Sequence, residues 1–250
     1  LSDKLKEIKV TSTEHGEGIE YFFDSILSGG AKRINKISRQ LGLAGWVITD
    51  RQRRTISMHE KKLELHTGGQ QFRFYPSSFV QANPKIAVEI AEFISENIRQ
   101  KGLSGDLVDL YSGFGFFAAF LREHARRIYL VENSYSGTND ARGVFADDIN
   151  VSYLDLPVEE GLLTLKKRKI SPTVLILDPP RKSPGKEIFG AIASLKPEVI
   201  YFISCNPSAL LRSVKQFKNY KLESINIFNM FPYTYHSEAV GIFVPKINSG

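Results

Sequence analysis

The sequence is poor in sulfur: its 250 residues contain one cysteine, Cys205, and two methionines. A single thiol excludes a disulfide within the chain and predicts a reducing, cytoplasmic setting. It also excludes a four-cysteine iron–sulfur cluster or a cysteine-rich zinc site built from these residues alone, and we expect no metal site.

Long apolar runs are scarce as well. No stretch approaches the roughly 18 consecutive apolar residues of a membrane span, and Leu1 to Glu7 is charged, unlike the start of a secretory signal. We therefore expect no membrane partner, and nothing in the sequence points to a protein partner. The chain does not begin with methionine, which predicts that it starts partway through a longer protein.

The composition is that of a folded protein with a mild excess of positive charge. Hydrophobic residues make up 42% of the chain and charged residues 24%, as is usual for globular domains. Lysine and arginine number 33 against 27 acidic residues. This balance suits a polyanionic partner. Many enzymes without such a partner are equally basic, so charge alone leaves the partner open.

The pattern of apolar residues changes near Pro76. Residues 1–77 contain short candidate strands between polar turns and one candidate helix, Ala31–Leu41, which predicts a small β-rich or α+β domain. In residues 78–250, strands alternate with helix-length segments, which predicts a mostly parallel, doubly wound sheet. The last two runs predict an antiparallel edge strand. The candidate strands of this sheet are Leu107–Tyr111, Arg127–Glu132, Asn150–Leu154, Val174–Asp178, Val199–Ser204, Leu222–Phe228 and Ala239–Val244.

A glycine turn follows the first of these strands, in the run Asp109-Leu110-Tyr111-Ser112-Gly113-Phe114-Gly115. Ligands of open α/β sheets bind at the carboxyl ends of strands, and glycine lets the backbone approach them closely. The next strand ends in Glu132, whose carboxylate can accept hydrogen bonds from ribose hydroxyls. A glycine turn alone also serves dinucleotides and plain tight turns. With Glu132 it predicts a cofactor that contains adenosine, and the missing third glycine disfavours a dinucleotide.

The fourth strand ends in Asp178-Pro179-Pro180-Arg181. Two prolines remove two backbone donors and stiffen the chain. They would hold Asp178 and Arg181 over the edge of the sheet, where a flat heterocycle can be recognised. The same run also occurs in surface turns, but its place at a strand end favours a functional site.

Cys205 lies in Ser204-Cys205-Asn206-Pro207, between the fifth strand and the helix that follows. A lone cysteine is usually a small buried hydrophobic residue. At a strand-to-helix junction, however, the donors at the start of the helix favour the thiolate. The position therefore suits a nucleophilic cysteine.

Glu238 closes a run that begins at Phe231 and passes through His236. A carboxyl group near apolar and aromatic residues can have a raised pKa, which makes it a competent proton acceptor near neutral pH. His236 is more simply explained as a structural histidine.

Together these motifs resemble the RNA 5-methyluridine methyltransferase family, which acts on uridines in transfer or ribosomal RNA. The resemblance extends from about Phe79 to Val244. Phe79-Val80-Gln81-Ala82-Asn83 is similar to the family's F-x-Q-x-N segment, and the glycine turn to its D-L-(Y/F)-C-G-x-G segment. The stretch from Phe231 to Glu238 is similar to its F-P-x-T-x-H-x-E segment.

The resemblance implies a class I, Rossmann-like methyltransferase fold, S-adenosylmethionine as methyl donor and RNA (rRNA or tRNA) as substrate. It implies that Cys205 is the nucleophile that forms a covalent adduct with the uridine, and that Glu238 is the base. The residues that it assigns to cofactor binding are Gln81, Tyr111, Gly113, Glu132 and Asp178.

The chain departs from the family pattern at several points. Ser112 stands where the family usually has cysteine, and Phe116 replaces a common asparagine, which puts a cofactor contact in doubt. Asp155 aligns only loosely with an adenine contact. The family's N-terminal RNA-binding barrel and iron–sulfur cluster have no counterpart. Upstream loss, with residues 1–77 as the remainder of a central domain, is the simpler explanation, and a cluster-free branch is the other.

Other functions stay open. RNA cytosine-5 methyltransferases use two cysteines, so the single Cys205 disfavours that reaction. Amino-group methyltransferases have an aromatic residue after D-P-P, where this chain has Arg181. A non-catalytic RNA-binding module that retains the fold is the alternative from another class.

Overall fold

The computed structural model describes residues 5–13, 16–23, 30–50, 55–59, 62–180, 184–230 and 237–246. The chain divides into two compact units, Leu1–Phe79 and Val80–Gly250. Within the described ranges, no helix is both long and apolar enough to span a membrane.

The first unit is an α+β structure. Its main sheet has four strands in the order β1-β2-β3-β4, and a separate hairpin pairs β5 with β6. The sheet neighbours are antiparallel except for β2 and β3, which are parallel and are joined by a helix, α1. Ile34 of α1 packs on Trp46 and Ile48 of β3. The elements are β1 (Leu5–Thr13), β2 (Gly16–Phe23), α1 (Gly30–Gln40), β3 (Gly45–Asp50), β4 (Thr55–His59), β5 (Leu63–Thr67) and β6 (Gln70–Phe74).

The second unit is an α/β structure. It begins with a helix whose first residue is Pro84; the side chain of Asn83 accepts a hydrogen bond from the Ile86 amide and caps the helix, as the sequence predicts. The elements are α2 (Pro84–Gln100), β7 (Gly105–Leu110), α3 (Phe116–Leu121), β8 (Ala125–Glu132), α4 (Tyr135–Val144), β9 (Val151–Asp155), α5 (Val158–Lys167), β10 (Val174–Leu177), α6 (Lys186–Ser194), β11 (Val199–Ser204), α7 (Pro207–Ser213), β12 (Tyr220–Phe228) and β13 (Glu238–Pro245).

The strand order of this unit is β12-β13-β11-β10-β7-β8-β9. The five strands from β11 to β9 are parallel, and β13 is antiparallel to both of its neighbours. The mostly parallel sheet is confirmed, but the antiparallel strand lies one position inside the edge. The reason is burial: six successive residues from Glu238 to Phe243 are buried, whereas in β12 every residue after Tyr220 is half-buried or exposed, which suits an edge.

Helices cover both faces of the sheet. On one face, side chains of α5, α6 and α7 pack on β7, β10 and β11 in a single core cluster. On the other face, the hydroxyl of Tyr201 in β11 donates to the Asn97 side chain of α2 at 2.7 Å. Because the strands are covered on both sides, β10 is apolar throughout, in the run Val174 to Leu177.

The chain reverses its direction across the sheet at β7. It passes from β7 outward to β8 and β9, and then returns to β10 on the other side of β7. The carboxyl ends of β7 and β10 therefore form a topological switch point, where open α/β sheets bind ligands. We refer to this side of the sheet, where β7, β8, β10 and β11 end, as the carboxyl edge.

Candidate active site

The glycine turn after β7 has a backbone that few residues other than glycine adopt. Gly113 and Gly115 have φ values of 55° and 81°, and Tyr111 has a φ of 60°. A Cβ atom on Gly115 would lie 2.5 Å from the ring of Phe145. Glycine is therefore required at 115 both for its φ and for space.

The carboxylate of Glu132, at the end of β8, is held in place by backbone donors. One oxygen accepts from the Gly113 amide at 3.0 Å, and the other from the amides of Asn133 and Ser134 at 2.9 and 2.7 Å. A carboxylate has about four acceptor sites. Three are used here, and one remains for a hydroxyl group.

Asp109 lies at the base of the turn and is 1% exposed. Neither of its carboxylate oxygens makes a hydrogen bond of standard geometry with the residues that the structure describes, and the Ser112 hydroxyl is also without such a bond. Burial raises the pKa of Asp109 to about 8; the Ala118 amide opposes this rise and the charge of Glu132 adds to it. Buried polar atoms without partners are costly, which marks a place prepared for a ligand or water.

Asp178 follows β10 and lies beside the glycine turn, since its amide donates to the carbonyl of Leu110 at 3.4 Å. Its carboxylate accepts from the Gln81 side-chain amide at 2.9 Å. Burial first, and then the negative charges of Glu238 and Asp109, raise the pKa of Asp178 well above its usual range, while the hydrogen bond from Gln81 lowers it. Three carboxyl groups thus lie within electrostatic reach of one another.

Glu238 and Cys205 reach this edge from neighbouring strands. In the antiparallel pairing of β11 with β13, Ser204 lies opposite Ala239. Cys205, one residue beyond β11, and Glu238, the first residue of β13, are therefore brought to the same edge. Glu238 is 5% exposed, and Cys205 is half-buried.

The segment around Cys205 is fixed by local hydrogen bonds. The Asn206 side chain accepts from the Ala209 amide at 3.0 Å and caps α7, whose first residue is Pro207. The Ser204 hydroxyl accepts from the Asn206 amide at 3.2 Å. The turn that carries Cys205 is therefore ordered on both sides of the thiol.

Tyr111, Asp155 and Phe116 make contacts outside the group of three carboxyl groups. The Tyr111 side chain packs against the main core, and burial together with nearby glutamates raises its pKa to about 12. Asp155 accepts from Arg142 at 2.7 Å, and the Arg142 guanidinium lies 4.8 Å from the centre of the Tyr153 ring. Phe116 is buried in an aromatic cluster, with its ring centre 5.1 Å from that of Phe120. The sequence comparison of motifs did not single out Arg142 or Tyr153; a basic residue 13 positions before Asp155 is too weak a signal.

Several predicted positions lie outside the described residues. They are Arg181 and the stretch from Phe231 to His236, so the closing motif is represented by Ser237 and Glu238. Among the described site residues, Asp109 and Ser112 were part of a recognised motif but were given no role. The signal for Asp109 was available: an acidic residue between Val108 and Leu110, in the apolar part of a strand that is covered on both faces, is unusual.

The strand order and the glycine turn define an α/β protein of the class I methyltransferase fold. Solved structures agree. The tRNA (uracil-54, C5)-methyltransferase of Pyrococcus abyssi, in complex with S-adenosyl-L-homocysteine, superposes with a TM-score of 0.68 at 19% identity, over 95% of this chain and 58% of that one.

Sequence comparison then gives the family. The family model described as tRNA (uracil-5-)-methyltransferase matches residues 28–247, and the chain belongs to this family. An uncharacterized RNA methyltransferase of Caldanaerobacter subterraneus is 33% identical over 69% of this chain and 39% of its own length. A 23S rRNA (uracil(747)-C(5))-methyltransferase of Xenorhabdus nematophila is 24% identical over 85% of this chain and 56% of its own length. The chain thus spans about half the length, or less, of these relatives.

Proposed function

We propose that this chain carries the methyl-transfer site of an enzyme that moves a methyl group from S-adenosylmethionine to C5 of a uridine in structured RNA. The observation that supports this most directly is the β11–β13 register, which brings Cys205 and Glu238 to the edge that also holds the glycine turn. Family membership supports the same reaction. Transfer and ribosomal RNA are both compatible with the chain, and residues 1–77 are proposed to be the remainder of a central domain.

The residues at the glycine turn fit S-adenosylmethionine. Glu132 retains an acceptor site for a ribose hydroxyl, Gly113 allows close approach of the backbone, and the buried Asp109 carboxyl makes no hydrogen bond of standard geometry with the described residues. Gln81, Tyr111 and Asp178 complete the proposed cofactor site. When bound, the cofactor supplies an electrophilic methyl group, and the protein aligns it with the uridine.

Cys205 is the proposed nucleophile. C5 of uracil is weakly nucleophilic until a thiolate adds to C6 and turns the ring into an enolate. The C5 carbon of that enolate then takes the methyl group, and the sulfonium becomes a thioether. This covalent step divides one difficult reaction into two easier ones. The uridine must leave its stack to reach the thiol, which costs a few kcal/mol.

Glu238 is the proposed base. After methyl transfer it accepts the C5 proton, the electron pair of that C–H bond re-forms the C5–C6 double bond, and the Cys205 thiolate leaves. The raised pKa of Asp178 supports this division of roles. A carboxyl group with a raised pKa is suited to hold a proton and donate a hydrogen bond rather than to act as the base.

The test is methylation of bulk RNA from a strain without its own 5-methyluridine enzymes, using cofactor with a labelled methyl group and mass spectrometry of the digested nucleosides. We expect label on C5 of uridine with the wild-type chain and a loss of at least about 10³-fold with Cys205→Ala, because the ring is no longer activated. Calorimetric titration with S-adenosyl-L-homocysteine should give unchanged affinity for that variant.

The same measurement separates the alternatives. Label on cytosine C5 would indicate a cytosine-5 methyltransferase, which the single cysteine disfavours. RNA binding without any transferred label would indicate a non-catalytic module. Normal methylation by Cys205→Ala would show that the nucleophile is assigned wrongly.

A further inference from the structure

Lysines surround a cavity on the side of the second unit where the parallel strands begin, opposite the carboxyl edge. Lys196 precedes β11, Lys218 precedes β12 and Lys246 follows β13. With the neighbouring Tyr220 and Pro245 they line a cavity of about 400 Å³. The three lysines are exposed, and the described residues that line the cavity include no acid.

Hydrogen bonds hold these segments together. The Lys246 amide donates to the carbonyl of Asn219 at 2.9 Å, and the Lys246 ammonium donates to the carbonyl of Lys218 at 2.8 Å. The hydroxyl of the buried Tyr220 donates to the carbonyl of Pro197 at 2.8 Å, next to Lys196. The backbone segments that carry the three lysines are therefore fixed relative to one another before any ligand binds, and their ordering adds no cost to binding.

Two lysines on this side have a left-handed backbone. Lys169 and Lys196 follow the ends of α5 and α6 with φ values of 57° and 56°. Helices commonly end with glycine in this conformation, because a side chain makes it less favourable. The Ser171 hydroxyl donates to the Lys196 carbonyl at 3.4 Å and links the two segments.

Capping of helix ends does not account for these lysines. A lysine inside the last turn interacts with the helix dipole equally well, and α5 already has Lys166 and Lys167 there. Glycine at 169 or 196 would terminate the helix with less strain. Strain that a fold retains is a reason to examine a position for function.

The positive charge continues along this side. Lys166, Lys167 and Arg168 precede Lys169, and all are exposed. Within the described ranges, none of the seven cationic side chains from 166–169 and at 196, 218 and 246 forms an ion pair. Glu198, the acid nearest to Lys196 in sequence, accepts a hydrogen bond from the Thr173 hydroxyl at 3.2 Å.

We infer that this surface, formed by Lys169, Lys196, Lys218 and Lys246 and called here the lysine edge, binds the phosphodiester backbone of RNA. A phosphate would lie in the cavity between Lys196, Lys218 and Lys246. The inference rests on the proposed function for the identity of the polyanion. The lysine edge and Cys205 lie at opposite ends of β11, about 20 Å apart at 3.3 Å per residue. The bound phosphate therefore belongs to a different part of the RNA from the reacting uridine.

The test compares two variants that each lose two charges. The first is Lys196→Asn with Lys218→Gln, in which asparagine tolerates the left-handed backbone. The control is Lys32→Gln with Lys36→Gln, two exposed lysines on α1 of the first unit. The probe is a fluorescein-labelled 30-nucleotide RNA hairpin, and the readout is anisotropy of the full chain at 50 to 300 mM KCl.

We expect the first variant to bind the hairpin about tenfold more weakly at 100 mM KCl. The slope of log affinity against log salt should fall in magnitude by about one to two, because one or two phosphate contacts are lost. The control should change affinity less than about twofold. Affinity for S-adenosyl-L-homocysteine should be unchanged in both, which checks folding.

Equal losses in both variants would overturn the inference, because they would reflect net charge alone. Unchanged affinity and slope in the first variant would also overturn it, and would leave the surface to another kind of partner. Failure of this inference can be distinguished from failure of the proposed function. If the wild-type chain transfers no methyl group, the reaction assignment fails, while the comparison of the two variants still decides the lysine edge.

Discussion

Two buried aspartates of the same strand, β7, differ in the hydrogen bonds that their carboxylates make. Asp106 is 5% exposed, and its carboxylate accepts from Arg127 at 2.6 and 3.1 Å and from Arg126 at 3.2 Å. Asp109 is 1% exposed, and no described residue offers it a hydrogen bond of standard geometry. Burial alone therefore does not mark a functional acid. What distinguishes Asp109 is that no arginine or lysine among the described residues compensates its burial.

The two sides of the sheet also differ, in the sign and the exposure of their charged groups. At the carboxyl edge, Asp109, Asp178 and Glu238 are close enough to influence one another, and the pKa values of the two aspartates are raised. At the lysine edge, the charges are positive, exposed and outside ion pairs among the described residues. One side suits chemistry on a bound group, and the other suits attraction of a polyanion.

The sharpest test of the carboxyl edge is Glu238→Gln. We expect turnover to fall about 10²–10⁴-fold, because the C5 proton is no longer removed. Since addition and methylation precede that step, a covalent protein–RNA species should accumulate and migrate slowly on a denaturing gel. The control is the double variant with Cys205→Ala, which should form no such species. Turnover within twofold of the wild type would exclude Glu238 as the base.

The next effect concerns the glycine turn. Gly115→Ala should lower the free energy of unfolding by about 2–3 kcal/mol, since it adds a clash with Phe145 to an unfavourable φ. Gly113→Ala has a similar φ and nothing within 4 Å of the added Cβ, so we expect about 1 kcal/mol. Denaturant unfolding measures both. Equal losses of stability in the two variants would show that the Phe145 ring moves away from the added methyl group at no cost in free energy.

The comparison of the two aspartates can be made directly. Asp106→Asn should cost about 1–2 kcal/mol of stability, because a charge-assisted bidentate hydrogen bond is weakened. Asp109→Asn should not lower the free energy of unfolding. In the folded chain Asp109 keeps its proton up to a pKa of about 8, whereas the unfolded chain releases it near pH 4. The contribution of Asp109 to wild-type stability therefore falls as the pH rises from about 4 to 8.

Asparagine does not titrate, so Asp109→Asn should gain stability relative to the wild type over that range, by at least about 1 kcal/mol. Denaturant midpoints at pH 5 and pH 8 provide the measurement. A difference between Asp109→Asn and wild type that does not change with pH would contradict the raised pKa.

The smallest expected effect is at the lysine edge. Lys196→Gly should raise the free energy of unfolding by about 0.5–1 kcal/mol, because glycine adopts the left-handed backbone without strain. Lys167→Gly, inside the last turn of α5, is the opposite control and should lower it by about 1 kcal/mol. A loss of stability in Lys196→Gly would show that the lysine side chain contributes to the fold itself.

Much of the second unit could be predicted from local patterns. The Asn83–Pro84 start of α2, the strand Val199–Ser204 and the alternation of strands and helices all depend on neighbouring residues, and the structure confirms them. The glycine turn was recognisable because positive φ favours glycine. The place of β13 inside the sheet was not, since an antiparallel final pair is compatible with either order.

The candidate site, too, could be predicted from the sequence only in part. The motifs identified Cys205, Glu238 and Asp178 as candidates, but the sequence did not reveal that Asp109 would be buried without a hydrogen bond of standard geometry. Nor did it reveal the lysine edge: Lys169 belongs to a run of basic residues in the sequence, but Lys196 and Lys218 come from two other connections and Lys246 from the segment after β13. The role of each candidate residue stays a prediction until the variants are measured.

The sequence by itself determined the local elements, the left-handed glycine turn and the family, because these follow from short-range geometry and from the order of motifs along the chain. Only the tertiary structure decided which of those motifs meet. Gln81 and Asp178 are 97 residues apart in the sequence and hydrogen-bonded. Ser204 of β11 lies opposite Ala239 of β13 in an antiparallel strand pair. Such contacts depend on strand order and register, which arise from packing of the whole sheet rather than from any segment of it.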